Sequence, residues 1–298
     1  MKKLLFVVNP CAGQKKILRH LSEVIALFQQ GGYEVTVYMT ACSGHGTEIA
    51  RSRCVDFDLV VCAGGDGTLN EIITGVLQAG AAVPIGYIPC GSTNDFASTL
   101  KLPSNVLQAA RFILDGVPMA YDVGKFADRY FSYVASFGAF TRASYATPQN
   151  VKNALGHLAY WLEGINELGQ IRPSHARFEY DGKTVEGDFL FGAVSNSTSV
   201  GGVLTLDPGR VDLQDGKFEL LLIRSPKDRA ELRELLRALR EQDYASDIIT
   251  FDTFSRLEVV PECAMPWSLD GERAEGQCQI VIENLRHAIH IIHNREEP

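Results

Sequence analysis

With 298 residues, 46% of them hydrophobic and 21% charged, the chain has the composition of a globular protein long enough for two domains, which excludes disordered and fibrous classes. Its formal net charge of −8 argues against a nucleic-acid partner and against holding an anionic membrane by bulk charge. No apolar run reaches the roughly 18 residues of a transmembrane span, and seven scattered cysteines without a Cys-x-x-Cys pair fit a reducing, cytoplasmic setting better than a disulfide framework or a zinc site.

The first third alternates strand and helix signals. Leu4–Val8 reads as a buried strand; Asn9-Pro10 cuts its apolar run too short for a signal peptide. Lys15–Gln30 places Ile17, Leu18, Leu21, Val24, Ile25 and Phe28 at helical spacing, and Gly31-Gly32 ends it. Tyr33–Met39 alternates as a strand, Gly46–Cys54 reads as a short helix, and Leu59–Ala63 as an apolar strand. Leu69–Gln78 is helical and Pro84–Ile88 a strand. This rhythm predicts a parallel sheet with helices on both faces.

Near Ala120 the pattern changes to strand candidates. Tyr121–Phe126 and Tyr130–Ser136 flank a hairpin at Ala127-Asp128-Arg129; Ala176–Tyr180 and Thr184–Val194 flank one at Asp181-Gly182-Lys183. Phe218–Ile223, Ile248–Phe251, Arg256–Val260, Gln279–Ile282 and Ala288–Ile292 follow, with helices expected over Val151–Leu168 and Lys227–Glu241. The expected architecture is an α/β domain over residues 1–124 and a mostly antiparallel β domain over 125–298, the boundary falling near 120–128.

The string Gly64-Gly65-Asp66-Gly67-Thr68-Leu69-Asn70-Glu71 follows a buried strand and opens a helix, where ligands of open α/β sheets bind. Glycines let backbone N–H groups approach an anion, and the helix start favours phosphate. Asp66 supplies a hard oxygen donor for Mg²⁺, and Thr68 and Glu71 have capping-box spacing. Asn9–Gly13 and Pro89–Phe96 follow two other strands at the same edge, so three polar loops converge on one nucleotide-sized site. Three histidines, His287, His290 and His293, read as a solvated face rather than a metal site, and Asp181-Gly182 as a plain turn. Asp270-Gly271 carries a hairpin signal too.

NPCAG, GGDGTLNE and PCGSTNDFA together resemble the catalytic domain of the diacylglycerol kinase and lipid kinase family, which includes sphingosine kinases and soluble bacterial diacylglycerol kinases. Tyr121-Asp122-Val123-Gly124, Leu213–Phe218 and Leu269-Asp270-Gly271-Glu272 extend the likeness over nearly the whole chain. GGDGT is shared with NAD kinases and phosphofructokinases; the Asn94–Ala97 string and Leu-Asp-Gly-Glu, in this order, single out lipid kinases. The resemblance implies that Asn9, Pro10, Cys11, Ala12, Gly13, Thr40, Gly64, Gly65, Asp66, Gly67, Thr68, Leu69, Asn70 and Ser92 contact ATP. It implies that Asp66, Asp95 and Asp122 surround a catalytic Mg²⁺, that Asp215 with the carbonyls of Asp212 and Lys217 holds a structural Mg²⁺, and that Asp270 or Glu272 is the general base. Cys11 departs from the Ser or Thr common in relatives, and the chain is expected to lack a C-terminal helix that some of them carry.

The function so implied is transfer of the ATP γ-phosphate to a lipid hydroxyl, diacylglycerol first, by a cytoplasmic enzyme acting peripherally at a membrane surface, with a homodimer implied by the family. Phe137, Phe140, Val203 and Leu204 are the candidate acceptor-pocket residues. The competing readings are an NAD kinase-like phosphotransferase with a small polar acceptor, and a nucleotide- or lipid-binding protein without turnover.

Overall fold

A computed structural model describes residues 1–92, 94–138, 173–196, 199–200, 204–205, 212–241 and 246–294. The expected helix over Val151–Leu168 and the pocket candidates Phe140 and Val203 lie outside them. The chain divides into two units, Met1–Val123 with Arg286–Pro298, and Gly124–Leu285.

In the first unit β1 (Lys2–Val8), β2 (Tyr33–Met39), β3 (Leu59–Gly64) and β4 (Ile85–Pro89) form a parallel sheet in the order β2-β1-β3-β4. Leu4, Phe6 and Val8 pack against one helical layer, made by α1 (Lys16–Gln30) and α5 (Val106–Asp115) through Ile17, Val24, Phe28, Val106, Ala109, Ala110 and Ile113. The alternate residues Leu5 and Val7 are also fully buried. A strand covered on both faces must read as a continuous apolar run, and β1 and β3 do. The helices α2 (His45–Arg53) and α3 (Asp66–Gln78) pack on each other.

α5 is an element the strand-and-helix reading passed over, although its signals are present. Asn105 caps it, its side chain accepting from the N–H groups of Leu107 and Gln108 at 3.1 Å each. Behind the cap, Val106, Ala109, Ala110 and Ile113 follow helical spacing.

The second unit is mostly antiparallel. β5 (Val117–Phe126) enters it, turns through Ala127-Asp128 and pairs with β6 (Arg129–Phe131). β7 (Val134–Gly138), β8 (Ser174–Tyr180) and β9 (Lys183–Ser195) follow, with short pieces β10 (Ser199–Val200) and β11 (Leu204–Thr205). Then come β12 (Phe218–Arg224), the helix α6 (Arg229–Glu241), β13 (Ile249–Phe254), β14 (Arg256–Pro261), β15 (Trp267–Leu269), β16 (Glu272–Ala274) and β17 (Ile280–His293). The first half of β9 pairs with β8; its second half lies between β7 and β12. The core is aromatic: Phe137 lies against Trp267 (4.8 Å between ring centroids) and Phe178 (5.8 Å). Phe137 is therefore core, not the wall of an acceptor pocket.

Three differences from the sequence reading have physical causes. Tyr130–Ser136 is not one strand but β6 and β7, broken at Ser132-Tyr133. Gln279–Ile282 and Ala288–Ile292 are one strand, β17, whose polar middle and left-handed His287 (φ 53°) mimic a break. Thr68 does not start α3: Gly65 is the N-cap and Asp66 the first helical residue, so the capping box does not form.

Candidate active site

In the order β2-β1-β3-β4 the connections turn in opposite directions at β1 and β3, and a crevice opens there beyond the carboxyl ends of the strands. Asn9 follows β1 and Gly64-Gly65 follow β3, side by side at this switch point. The Asn9 N–H donates to the Ala63 carbonyl (2.8 Å), and its amide donates to Thr68 Oγ1 (2.9 Å). The Cys11 N–H donates back to Asn9 Oδ1 (2.9 Å), a turn that leaves Cys11 exposed. Pro10, Ala12 and Gly13 complete the loop, half-buried. Thr40, beyond β2, is tied by its N–H to the Val8 carbonyl (2.9 Å). Ser92, beyond β4, is exposed.

Glycine is required where two of these loops touch. A Cβ on Gly91 would stand 2.6 Å from the Gly65 Cα and 2.7 Å from Asn94 Oδ1. One on Gly13, at φ 37°, would stand 1.9 Å from the Cys90 carbonyl oxygen. Gly91→Ala must push backbone against backbone, so it is expected to destabilise the protein by about 1–3 kcal/mol in urea denaturation; a wild-type midpoint would show that the loops are not in contact.

Asp66 stands at the meeting of the loops. Its carboxylate accepts the N–H groups of Asp95 (Oδ2, 3.1 Å) and Phe96 (Oδ1, 3.3 Å), the first two residues of the short helix α4 (Asp95–Thr99). It does the work of a cap that Asn94 does not, because the Asn94 side chain is bonded to both the N–H (2.8 Å) and the carbonyl (2.9 Å) of Gly91. Burial, and next the charge of Asp95, push the Asp66 carboxyl up to about 6, against the opposing pull of these backbone donors.

The predicted contact set divides by burial. Gly64, Gly65, Gly67, Asn70 and Asp66 line the start of α3, with Asn70 Oδ1 accepting from Thr74 (3.2 Å). Leu69 is buried in the core, and Thr68 is buried with its hydroxyl on Asn9, so both shape the loop from behind. One supporting residue, Tyr87, escaped the sequence reading, and the spacing of another, Glu71, points to the wrong helix for its cap. Tyr87 reaches from β4 with its hydroxyl 3.3 Å from the Gly64 carbonyl. Glu71 closes a cap on a different helix, its carboxylate accepting from Gly44 (2.7 Å) and Gly46 (2.9 Å) at the start of α2. A Thr-x-x-Glu spacing signals a cap, but not whose.

Of the three carboxylates assigned to a catalytic Mg²⁺, Asp66 and Asp95 meet. Asp122 is buried on β5 and accepts the His287 N–H (2.8 Å); the charge felt by Asp66 comes from Asp95. Among the described residues no three acidic, histidine or cysteine side chains are grouped to hold an ion.

In the second unit, Asp270-Gly271 is the two-residue turn joining β15 to β16, with both residues at positive φ (49° and 87°). The Asp270 carboxylate, 7% exposed, turns inward and accepts three backbone N–H groups: Ser132 on Oδ2 (2.6 Å), Tyr133 and Val134 on Oδ1 (3.0 Å each). These are the donors set loose where the strand breaks between β6 and β7. Glu272 is exposed, 3.5 Å from the Arg129 guanidinium. The turn at 212–217 is shaped by its own acids: Asp212 accepts the Gln214 N–H (3.0 Å) and Asp215 the Lys217 N–H (2.8 Å).

Residues 3–126 match the family model of the diacylglycerol kinase catalytic domain, and residues 134–293 that of the YegS C-terminal NAD kinase beta sandwich-like domain. The chain is 34% identical to a diacylglycerol kinase of Bacillus subtilis over all of its own length and 98% of that protein's, and 32% identical to one of Staphylococcus carnosus over 97% and 94%. A crystal structure of a diacylglycerol kinase from Bacillus anthracis shares the fold, with a TM-score of 0.77 at 22% identity, over 99% of this chain and 97% of that one. Two domains matched in order, and relatives of nearly equal length aligned end to end, make this chain a member of the diacylglycerol kinase family, a phosphotransferase of the kinase type.

Proposed function

We propose that the protein transfers the γ-phosphate of ATP to the hydroxyl of diacylglycerol, giving phosphatidic acid, in a Mg²⁺-dependent reaction at a membrane surface. The observation that carries the nucleotide half is the crevice at the switch point, where the Asn9–Gly13 and Gly64–Asn70 loops meet Cys90 and Gly91 with backbone close against backbone, beside the start of α3, a helix end that favours phosphate. The curated relatives, named for their lipid substrate, support the acceptor.

The residues fit a hard cation. Burial, and next the like charge of Asp95, raise the Asp66 carboxyl. A hard cation would favour its ionised form and relieve the repulsion, since ionised carboxylate oxygens are Mg²⁺ donors. A bound Mg²⁺ would neutralise charge on the phosphates. The chain's own part is to hold the phosphates by N–H groups and the start of α3, so that the γ-phosphate is fixed for in-line attack.

Asp270 and Glu272 are the carboxylates available for the acceptor's proton. Oδ1 of Asp270 accepts two N–H groups and Oδ2 accepts one. Glu272 faces solvent. The test is transfer of labelled phosphate from ATP to diacylglycerol in mixed micelles, to water-soluble polyols and to NAD. Diacylglycerol is expected to be the preferred acceptor. Efficient labelling of a polyol or NAD with every lipid labelled poorly would overturn the lipid acceptor and leave the kinase.

A further inference from the structure

One buried acid has no place in that account. Glu219 is the second residue of β12, two positions beyond the turn at 212–217, and it is 4% exposed. Its Oε2 has no hydrogen-bond partner among the described residues. A carboxylate oxygen taken from water and left without a donor is costly. The charged groups that act on it are Asp215 and Asp212, both of its own sign.

The other side of the turn shows a matching deficit. Asn284 donates from Nδ2 to the Lys217 carbonyl (3.1 Å), and its Oδ1 is buried with no partner among the described residues. Around one tight turn, with Gly216 at φ 83°, stand acceptor oxygens in excess and donors in shortage. A hard cation relieves that imbalance, since Mg²⁺ takes six oxygen ligands and keeps several waters among them.

We propose that Glu219 is a direct oxygen ligand of the cation bound at the 212–217 turn, alongside the Asp215 carboxylate and the Asp212 and Lys217 carbonyls, with the Asn284 amide held against the same shell. This rests on the reading that the turn binds Mg²⁺. Two carboxylates with main-chain carbonyls suffice, so the shell needs no third acidic side chain. Glu219 lies opposite Ser195 of β9 and Thr253 of β13 in the sheet. An ion on Glu219 therefore fastens the exposed turn to the middle of a three-strand ladder, which a site confined to the turn would not do.

The test uses the full chain without nucleotide, following the melting temperature against Mg²⁺ concentration and the bound fraction of Mn²⁺ by paramagnetic resonance. Asp215→Ala is expected to abolish the response. Glu219→Gln is expected to raise the half-saturating concentration about tenfold or more. If Glu219→Gln titrates like the native protein while Asp215→Ala does not respond, Glu219 is a protonated core acid; the proposal is then wrong and the turn site stands. If all three respond identically, the turn binds no ion and both readings fall.

Discussion

Asp66→Asn is expected to lower turnover by about a hundredfold or more, the scale of losing a major electrostatic group, in a protein that folds at least as well as the native one near neutral pH. The stability half follows from the direction of its shift. The Asp66 carboxyl sits at about 6 in the folded chain, raised from 3.8. The folded state therefore binds this proton more tightly than the unfolded state. The stability this proton contributes, on the order of 2–3 kcal/mol, is fully present below about 3.8 and is lost as pH rises through 6. Asparagine keeps an oxygen for one of the two N–H groups and does not titrate. Denaturation free energies of the two proteins, compared between pH 4 and pH 7.5, should diverge in favour of the variant as pH rises. Unimpaired turnover in the folded variant would remove Asp66 from the site.

The second large effect falls on folding. Asp270→Ala strands three buried N–H groups, those of Ser132, Tyr133 and Val134. At about 1–3 kcal/mol for each unsatisfied donor, with some relaxation, the loss should reach about 3–5 kcal/mol. Glu272→Gln, on an exposed side chain, should leave the melting temperature unchanged. The pair separates two roles that activity alone confuses. A loss of turnover in Asp270→Ala says nothing about proton transfer until the lost clamp is accounted for, whereas the same loss in Glu272→Gln is chemical. A native melting curve for Asp270→Ala would show that the clamp is dispensable.

The parallel sheet was legible because Leu4–Val8 of β1 and all of β3 are buried and leave no polar residue to blur the run. Tyr33–Met39 came out to the residue because Gly31-Gly32 and Thr40 bracket it. The glycine loops were legible too, since their residue types are forced by backbone contact. What stayed hidden were contacts between distant segments. Nothing near Asp270 announces that its carboxylate serves residues some 136–138 positions earlier. Asp181-Gly182 makes the point within the same chain: it forms the same kind of two-residue turn, at φ 46° and 74°, with Asp181 exposed. Local sequence specified the turn in both cases and could not specify what packs against it. Glu71 failed for the same reason, since its spacing was read along α3 while its partners lie on α2.

The cap that Asp66 places on α4 has a consequence for how order is distributed in the first unit. A five-residue helix has no stability of its own, so α4 depends on the burial of Phe96 and Ala97 and on a carboxylate from another segment that holds its first two amides. Drawing that carboxylate away to an ion weakens the tether. The helix Asp95–Thr99 then behaves as a local unfolding unit whose opening free energy depends on one side chain of α3. Amide exchange at Asp95 and Phe96 would be a gauge of that contact, rising when the carboxylate is drawn away, long before the sheet beneath it begins to open.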